Sequence, residues 1–457
     1  MEQIKTENPL GYKKIPSLLA SFAVPSIISM LVSSLYNVVD QIFIGRGVGY
    51  YGNAATTVAF PLTTICMAIT LTIGIGSAAQ FSLHLGRKEE EHAASVVGNG
   101  CAMMTVFGIS YAILAEIFLP YLLKLFGATA EVYPYAFSYT RIVILGMPFL
   151  VAMNGLSNLA RADGSPLYSM TTMMIGAVVN TVLDPVFIFV LDWGVAGGAA
   201  ATVIGQVCSF VSAVLYLPKF KRVHLKVSCF RLRKQLVLRT LTMGMSNGLT
   251  QLALTLVQIV MNLSLVYYGG RSRFGSDIPL AASGVVMKTF TLLLAFVIGI
   301  NQGMQPIVGF NYGAGKFDRV KSTYLHAVGA NLVICAIGFF CFQVFPRQII
   351  SLYGKGESDV YYDFGVMFMR IFLMMSLVNG VQMISSNFFA AIGKPVKGAL
   401  LALTRQVFFL IPLILVFGWL FGITGVVAAA PVADFCSFIV VLVFIVKELK
   451  SYSTRQA

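Results

Sequence analysis

The sequence predicts an all-α polytopic membrane protein: twelve transmembrane helices in two six-helix lobes, related by pseudo-two-fold symmetry along the membrane normal. Three observations predict it. Of 457 residues, 57% are apolar and only 11% charged, with a mean hydropathy of +0.82; an ordinary soluble domain carries roughly a quarter charged residues. Twelve apolar runs are each long enough to cross a bilayer. The two halves of the chain also repeat one another.

The runs fall at about 18–44, 55–83, 94–123, 134–160, 168–191, 195–217, 238–268, 278–308, 323–346, 361–391, 398–418 and 422–446. Each meets the roughly 20 apolar residues that a helical crossing requires. The first seventeen residues are polar, and the first run is too long and lacks a small-residue cleavage site. It is therefore expected to be a retained helix, not a cleaved signal peptide. The longest connection, about 218–237, is a basic linker dividing an N-terminal lobe, 1–217, from a C-terminal lobe, 238–457. No loop is long enough for an extramembrane domain, so a nucleotidase, a kinase or a nucleic-acid reader is excluded.

The 32 basic residues exceed the 18 acidic ones, a formal charge of +14. Sorted by loop, 22 Lys and Arg fall on the side of both termini. Six fall on the other: Arg46, Lys124, Arg271, Arg273, Arg347 and Lys355. That bias places both termini in the cytoplasm of a bacterial plasma (inner) membrane and makes the basic excess an orientation signal, with a possible attraction to anionic lipid. The seven cysteines are scattered, without disulfide or metal spacing. The four histidines, His84, His92, His224 and His326, all fall near the cytoplasmic side.

The repeat is carried by 194–210 (GVAGGAAATVIGQVCSF) and 422–438 (GITGVVAAAPVADFCSF), with seven identities in seventeen at an offset of 228. At an offset of 229, Gly164 and Pro166 meet Gly393 and Pro395, and Gly86-Arg87 meets Gly315-Lys316. Each half holds six crossings. An even number makes the halves parallel, as in transporters that rock two lobes about a central cavity.

A carboxylate inside a crossing costs a few kcal/mol, about 3 by insertion scales, and is a functional candidate by default. In the N-terminal half these are Asp40, near the outer end of the first run, and Asp184, roughly 24 Å above the start of the fifth. Tyr36 stands four residues before Asp40 and Asn180 four before Asp184, so each acid shares a helix face with a hydrogen-bonding partner. Thr202 and Tyr139 reach a similar depth on the sixth and fourth runs. Pro185 removes a backbone donor and frees the carbonyl of Thr181, a bend tolerated beside a polar cavity. Such an all-oxygen set suits Na⁺; equally, two close acids in low dielectric can hold a proton. The C-terminal half lacks the cluster: Met261, Phe408, Pro412 and Ala430 stand near the corresponding positions. Its own intramembrane polar residues are Gln258, Asn262, Lys288, Asn379, Gln382, Arg405 and Asp434. All but Asp434 are candidates for a substrate cavity or gate, with Lys288 alternatively snorkelling or paired with Asp434.

The segments YNVVDQIFIG (36–45), ARADGSP (160–166), NTVLDPVFIF (180–189) and GGAAATVIGQ (197–206) resemble the MATE (multidrug and toxic compound extrusion) transporters, over nearly the whole chain. The resemblance implies a coupling-cation site at Asp40, Asn180, Asp184 and Thr202, with Tyr36 and Tyr139 as neighbours, and Na⁺ as the bound metal if coupling is to sodium. The eighteen residues of the seventh run (GLTQLALTLVQIVMNLSL) and the core of the tenth contain no acid, unlike the NorM-like branch, so the chain looks closer to the DinF-like and MepA-like branch. The implied activity is secondary antiport: amphipathic, often cationic, organic compounds leave in exchange for Na⁺ or H⁺. The chain is expected to act as a monomer in the bilayer, without a cofactor, enzymatic activity or nucleic-acid partner. The alternative in the same superfamily is a lipid-linked oligosaccharide flippase.

Overall fold

The computed structural model describes residues 8–352 and 358–456, so Lys5 and Lys355 of the charge count lie outside the described residues. Among these residues there is no strand. The N-terminal lobe consists of α1 (Ile15–Val48), α2 (Tyr50–Gly86), α3 (Glu90–Leu125), α4 (Tyr133–Ala162), α5 (Pro166–Pro185, continued by a π-helical turn, Val186–Val190) and α6 (Gly194–Val214). The C-terminal lobe begins with α7 (Lys234–Gly269), α8 (Asp277–Gly313) and α9 (Phe317–Val344). α10 is a broken crossing, Asp359–Phe372 and Ser376–Ala391, bent by 49°. α11 runs from Pro395 through a π-helical segment, Thr404–Leu410, to a break at Gly422, where φ is +64°, and α12 follows to the C-terminal end. These are twelve apolar crossings, as the sequence predicts. The break in α10 is not foreseen, because Leu373, Met374 and Met375 include neither proline nor glycine.

The repeat survives as geometry. Gly194 and Gly422 open α6 and α12 with φ of +57° and +64°, and Gly164 and Gly393 turn the chain before α5 and α11 with φ of +85° and +76°. One part of the sequence alignment is corrected. After α2 and α8 the left-handed turn residues are Lys88 (φ 62°) and Gly315 (φ 70°), an offset of 227, so Gly86 matches Gly313 and not Gly315. Their contacts are reciprocal: a β-carbon on Gly86 would lie 2.1 Å from the Phe310 carbonyl oxygen, and one on Gly313 would lie 2.2 Å from that of Leu83.

The same close approaches fix how the lobes meet. Gly299 and Gly303 of α8 rest against Ile27 and Ala23 of α1, while Gly244 and Gly248 of α7 rest against Thr72 of α2. All lie in the half of the molecule that holds both termini. There one apolar core runs through both lobes, from Phe22 and Phe81 to Met304 and Phe388. In the other half the cores separate. Phe364, Phe368, Leu265 and Ile414 pack with C-lobe residues alone, and Ile44, Ile188 and Val195 with N-lobe residues alone. The lobes are therefore joined on the terminal side and parted on the other by a cleft.

The terminal side is also tied by polar contacts. Asn311, Arg319 and Lys316 donate to the carbonyls of Leu10, Lys13 and Gly11. The basic linker is not a loose tether. Asn99 of α3 donates to the carbonyls of Cys229 and Arg231 and accepts from the Arg233 amide.

Candidate functional site

The scarcity of polar side chains in the N-lobe makes the exceptions easy to place. Asp184 and Asn180 follow one another on α5 at helical spacing, and both side chains are buried, at 0% and 2% exposure. The Asn180 amide donates to Asp184 Oδ1 at 3.2 Å and to Thr202 Oγ1 of α6 at 3.2 Å. Asp40 of α1 reaches hydrogen-bonding distance of Asp184, and Tyr36 and Tyr139 interact electrostatically with both acids. The structure thus brings together all six residues named from the sequence as the coupling cluster.

Local geometry explains why they converge. The π-helical turn after Pro185 widens the end of α5 at the point where Asp184 projects, and such turns interrupt the regular hydrogen-bond ladder. On the outer side Ile44, Ile188 and Val195, with Phe43, Val48 and Tyr139, form an apolar cap. On the terminal side a cavity of about 50 Å³, room for water, is lined by Ser33, Tyr36, Asn154, Asn180, Thr202 and Gln206 among others. Asp40 is partly exposed, whereas Asp184 is not.

The donor set decides what can bind. Asp40 Oδ1, Asn180 Oδ1 and Asp184 Oδ2 are buried oxygens without a hydrogen-bond donor. Unsatisfied acceptors of this kind are costly unless a proton, water or cation occupies them. Two carboxylates at hydrogen-bonding distance with no basic side chain bonded to them repel unless a positive charge lies between them. Among the described residues no group of three or more His, Cys, Asp or Glu could hold a metal ion. The free groups of the site are all oxygen acceptors, a set whose chemistry suits a hard cation or a proton.

The C-lobe residues fall in two places. Gln258 donates to Asn262 at 2.8 Å on α7, and Lys288 is exposed on α8. Asn379, Gln382 and Arg405 are buried in the packed lobe: Arg405 pairs with Asp434, while Gln382 donates to the Leu401 carbonyl and accepts from Ser437. Asp434 is thus the partner of Arg405 and not of Lys288, because the π-helical segment of α11 turns the guanidinium toward α12. These three do not line the cleft as expected.

Two residues escaped the sequence reading. Gln206 leaves its Oε1 without a donor at the small N-lobe cavity, and its place one helical turn below Thr202 was the available signal. Asp163, in the turn after α4, accepts from the Tyr216 hydroxyl and the Lys221 amide, each at 2.8 Å, and burial pushes its carboxyl up to about 6. It anchors the linker to the N-lobe.

A family model described as MatE matches residues 25–186 and 247–416. The multidrug export protein MepA of Staphylococcus aureus strain MRSA252 is 23% identical over 436 residues, covering 94% of each chain. MepA of Staphylococcus saprophyticus is 24% identical over 414 residues, covering 90% of this chain and 89% of that one. In fold, the chain is similar to a MOP superfamily transporter from Pyrococcus furiosus, with a TM-score of 0.91, 22% identity, and 97% and 98% of the two chains covered. It is also similar to an outward-facing multidrug resistance MATE family transporter, with a TM-score of 0.88, 21% identity, and 97% and 99% covered. Twelve helices in two symmetric lobes, together with a family match over both, mean that the chain belongs to the MatE family of transporters.

Proposed function

We propose that the protein is a secondary antiporter that exports amphipathic organic compounds in exchange for Na⁺ or H⁺ by alternating access. The observation that carries this reading is the Asp40–Asp184 pair, which with Asn180 leaves three buried oxygens without donors. Asp40 is the partly exposed member of the pair and Asp184 the fully buried one. A cation reaching the site meets Asp40 first and then bridges to Asp184. Neutralising the pair removes the repulsion between α1 and α5, so their outer halves pack more closely. A ligand shifts the balance of two states only through different affinity for them; the cation supplies this by neutralising charge, and the organic substrate by filling the cleft. The MepA relatives are export proteins by name, which supports the direction of transport. The flippase alternative is not favoured by the MatE match or by those relatives.

The test uses the full chain in proteoliposomes with Na⁺ and pH gradients imposed separately, following a fluorescent substrate. Asp184→Asn and Asp40→Asn are each expected to lower gradient-driven transport at least ~100-fold, since breaking a buried charge site costs about 3–5 kcal/mol. Thr202→Ala is expected to raise the half-saturating Na⁺ concentration if sodium is the coupling ion and to leave a pH-driven rate nearly unchanged. Full gradient-driven transport by Asp184→Asn would overturn the mechanism.

A further inference from the structure

The face of α8 that looks at the N-lobe is marked by its contacts: Gly299 and Gly303 against α1, Gly309 and Gly313 against Ser82 and Leu83 of α2. Lys288 lies eleven residues before Gly299, about three full turns, so it returns to that face. Ala282, Val286, Phe290 and Leu293, which pack into the C-lobe, lie on the opposite one. The exposed Lys288 side chain stands about 16 Å beyond the last contact with α1, where the lobes have parted. The same periodicity carries the α7 face from Gly244 and Gly248 through Gln251, Thr255, Gln258 and Asn262.

Across the cleft, α1 continues its contact face through Ser34, Val38 and Gln41, and α2 through Thr57, Pro61 and Ile65. Asp40 and Tyr36 lie on the far side of α1, turned toward Asp184. Asp277, eleven residues before Lys288, returns to the same face of α8 about 16 Å farther out, at the helix's outer end. Between it and Gly299, Lys288 is the one charged side chain among the described residues of these four facing stretches, amid apolar surface and neutral amides.

We propose that the cleft binds an amphipathic organic molecule bearing an anionic group, such as a carboxylate, sulfonate or phosphate. That group accepts from Lys288 Nζ, and the Gln258–Asn262 pair receives an uncharged polar part. This deepens the antiport reading, on which it rests, by naming the substrate class, and it departs from the cationic compounds that the family resemblance implies. An ammonium substrate would meet repulsion from Lys288 with no carboxylate at that depth on the facing walls to offset it, Asp277 being about 16 Å farther out. An anionic one gains a charge-assisted hydrogen bond in a site shielded from bulk water.

Fluorescein and rhodamine 123 share a xanthene ring system and differ in charge, so their binding to the purified full chain, followed by fluorescence anisotropy in a neutral detergent, isolates the charge term. Wild type is expected to bind fluorescein about tenfold or more tightly than rhodamine 123. Lys288→Met is expected to lose that margin, Lys288→Arg to retain it, and Lys288→Glu to reverse it. Equal affinity of the wild type for the two dyes, binding of neither, or fluorescein affinity unchanged in Lys288→Met would overturn the proposal. Retention by Lys288→Arg excludes misfolding as the cause of any loss. The binding measurement needs no ion gradient, so its failure is distinct from failure of the Asp184→Asn transport test.

Discussion

Asp184 and Asp434 are both buried, and their surroundings give them opposite properties. Asp184 accepts from one amide and faces a second carboxylate, with an oxygen left over; Asp434 is closed by the Arg405 guanidinium. At an offset of 228, Asp434 stands where the N-lobe has Gln206, whose Oε1 lacks a donor beside a cavity. The C-lobe has filled with an ion pair a position that the N-lobe leaves polar and open. Arg405→Met alone is expected to destabilise the protein by about 3–5 kcal/mol, because it strands a buried carboxylate, whereas Arg405→Met with Asp434→Leu is expected to recover most of that loss. Thermal unfolding of the purified single and double variants measures the difference; equal stability of the two would mean that the pair is not structural. The polar cluster around Asp40 and Asp184 was legible in the sequence because a carboxylate is so rare in these crossings. Arg405 and Gln382 were misplaced for a related reason: depth along a helix can be counted, but the face on which a π-helical segment presents a side chain cannot.

Within the elements, glycine decides how closely the lobes approach. A β-carbon on Gly244 would lie 1.7 Å from the Thr72 carbonyl oxygen, a backbone atom that no rotamer change moves away. Gly244→Val is therefore expected to wedge α7 from α2 on the terminal side, destabilising this arrangement by about 1–3 kcal/mol and shifting a two-state population about 5- to 150-fold. Spin labels at Arg87 and Lys321, exposed on opposite lobes of that side, are expected to report longer distances in the variant, and an unchanged distribution would refute the wedge. The helices themselves follow from hydropathy, since a backbone in lipid must satisfy its own hydrogen bonds. Their irregularities divide. Pro185 announces the distortion of α5, whereas nothing in Leu373–Met375 announces the break in α10.

For the whole molecule, two parallel six-helix lobes share one core on the terminal side and separate on the other. On the proposed antiport reading this is one station of an alternating-access cycle, with the cleft facing away from the termini. The 22-to-6 bias of basic residues predicts that this cleft faces the outside of the cell. Arg271→Cys is accordingly expected to react with a membrane-impermeant maleimide in intact cells and Lys321→Cys only after lysis; the reverse pattern would invert the molecule.

The sequence by itself determined the class of protein, the number and order of its crossings, its two-fold repeat and the members of the polar cluster that the N-lobe brings together. Each of these follows from local quantities: apolar length, charge per loop, identities at a shared offset, and polar residues at countable depth. The tertiary structure decided which surfaces meet. It put Arg405 against Asp434, strapped the linker to Asn99 and Asp163, and left Lys288 exposed on α8 while setting Asp40 beside Asp184. The physical reason is that a helix in a bilayer is apolar nearly all round, so hydropathy does not distinguish lipid, neighbour or cavity. Only packing assigns each face.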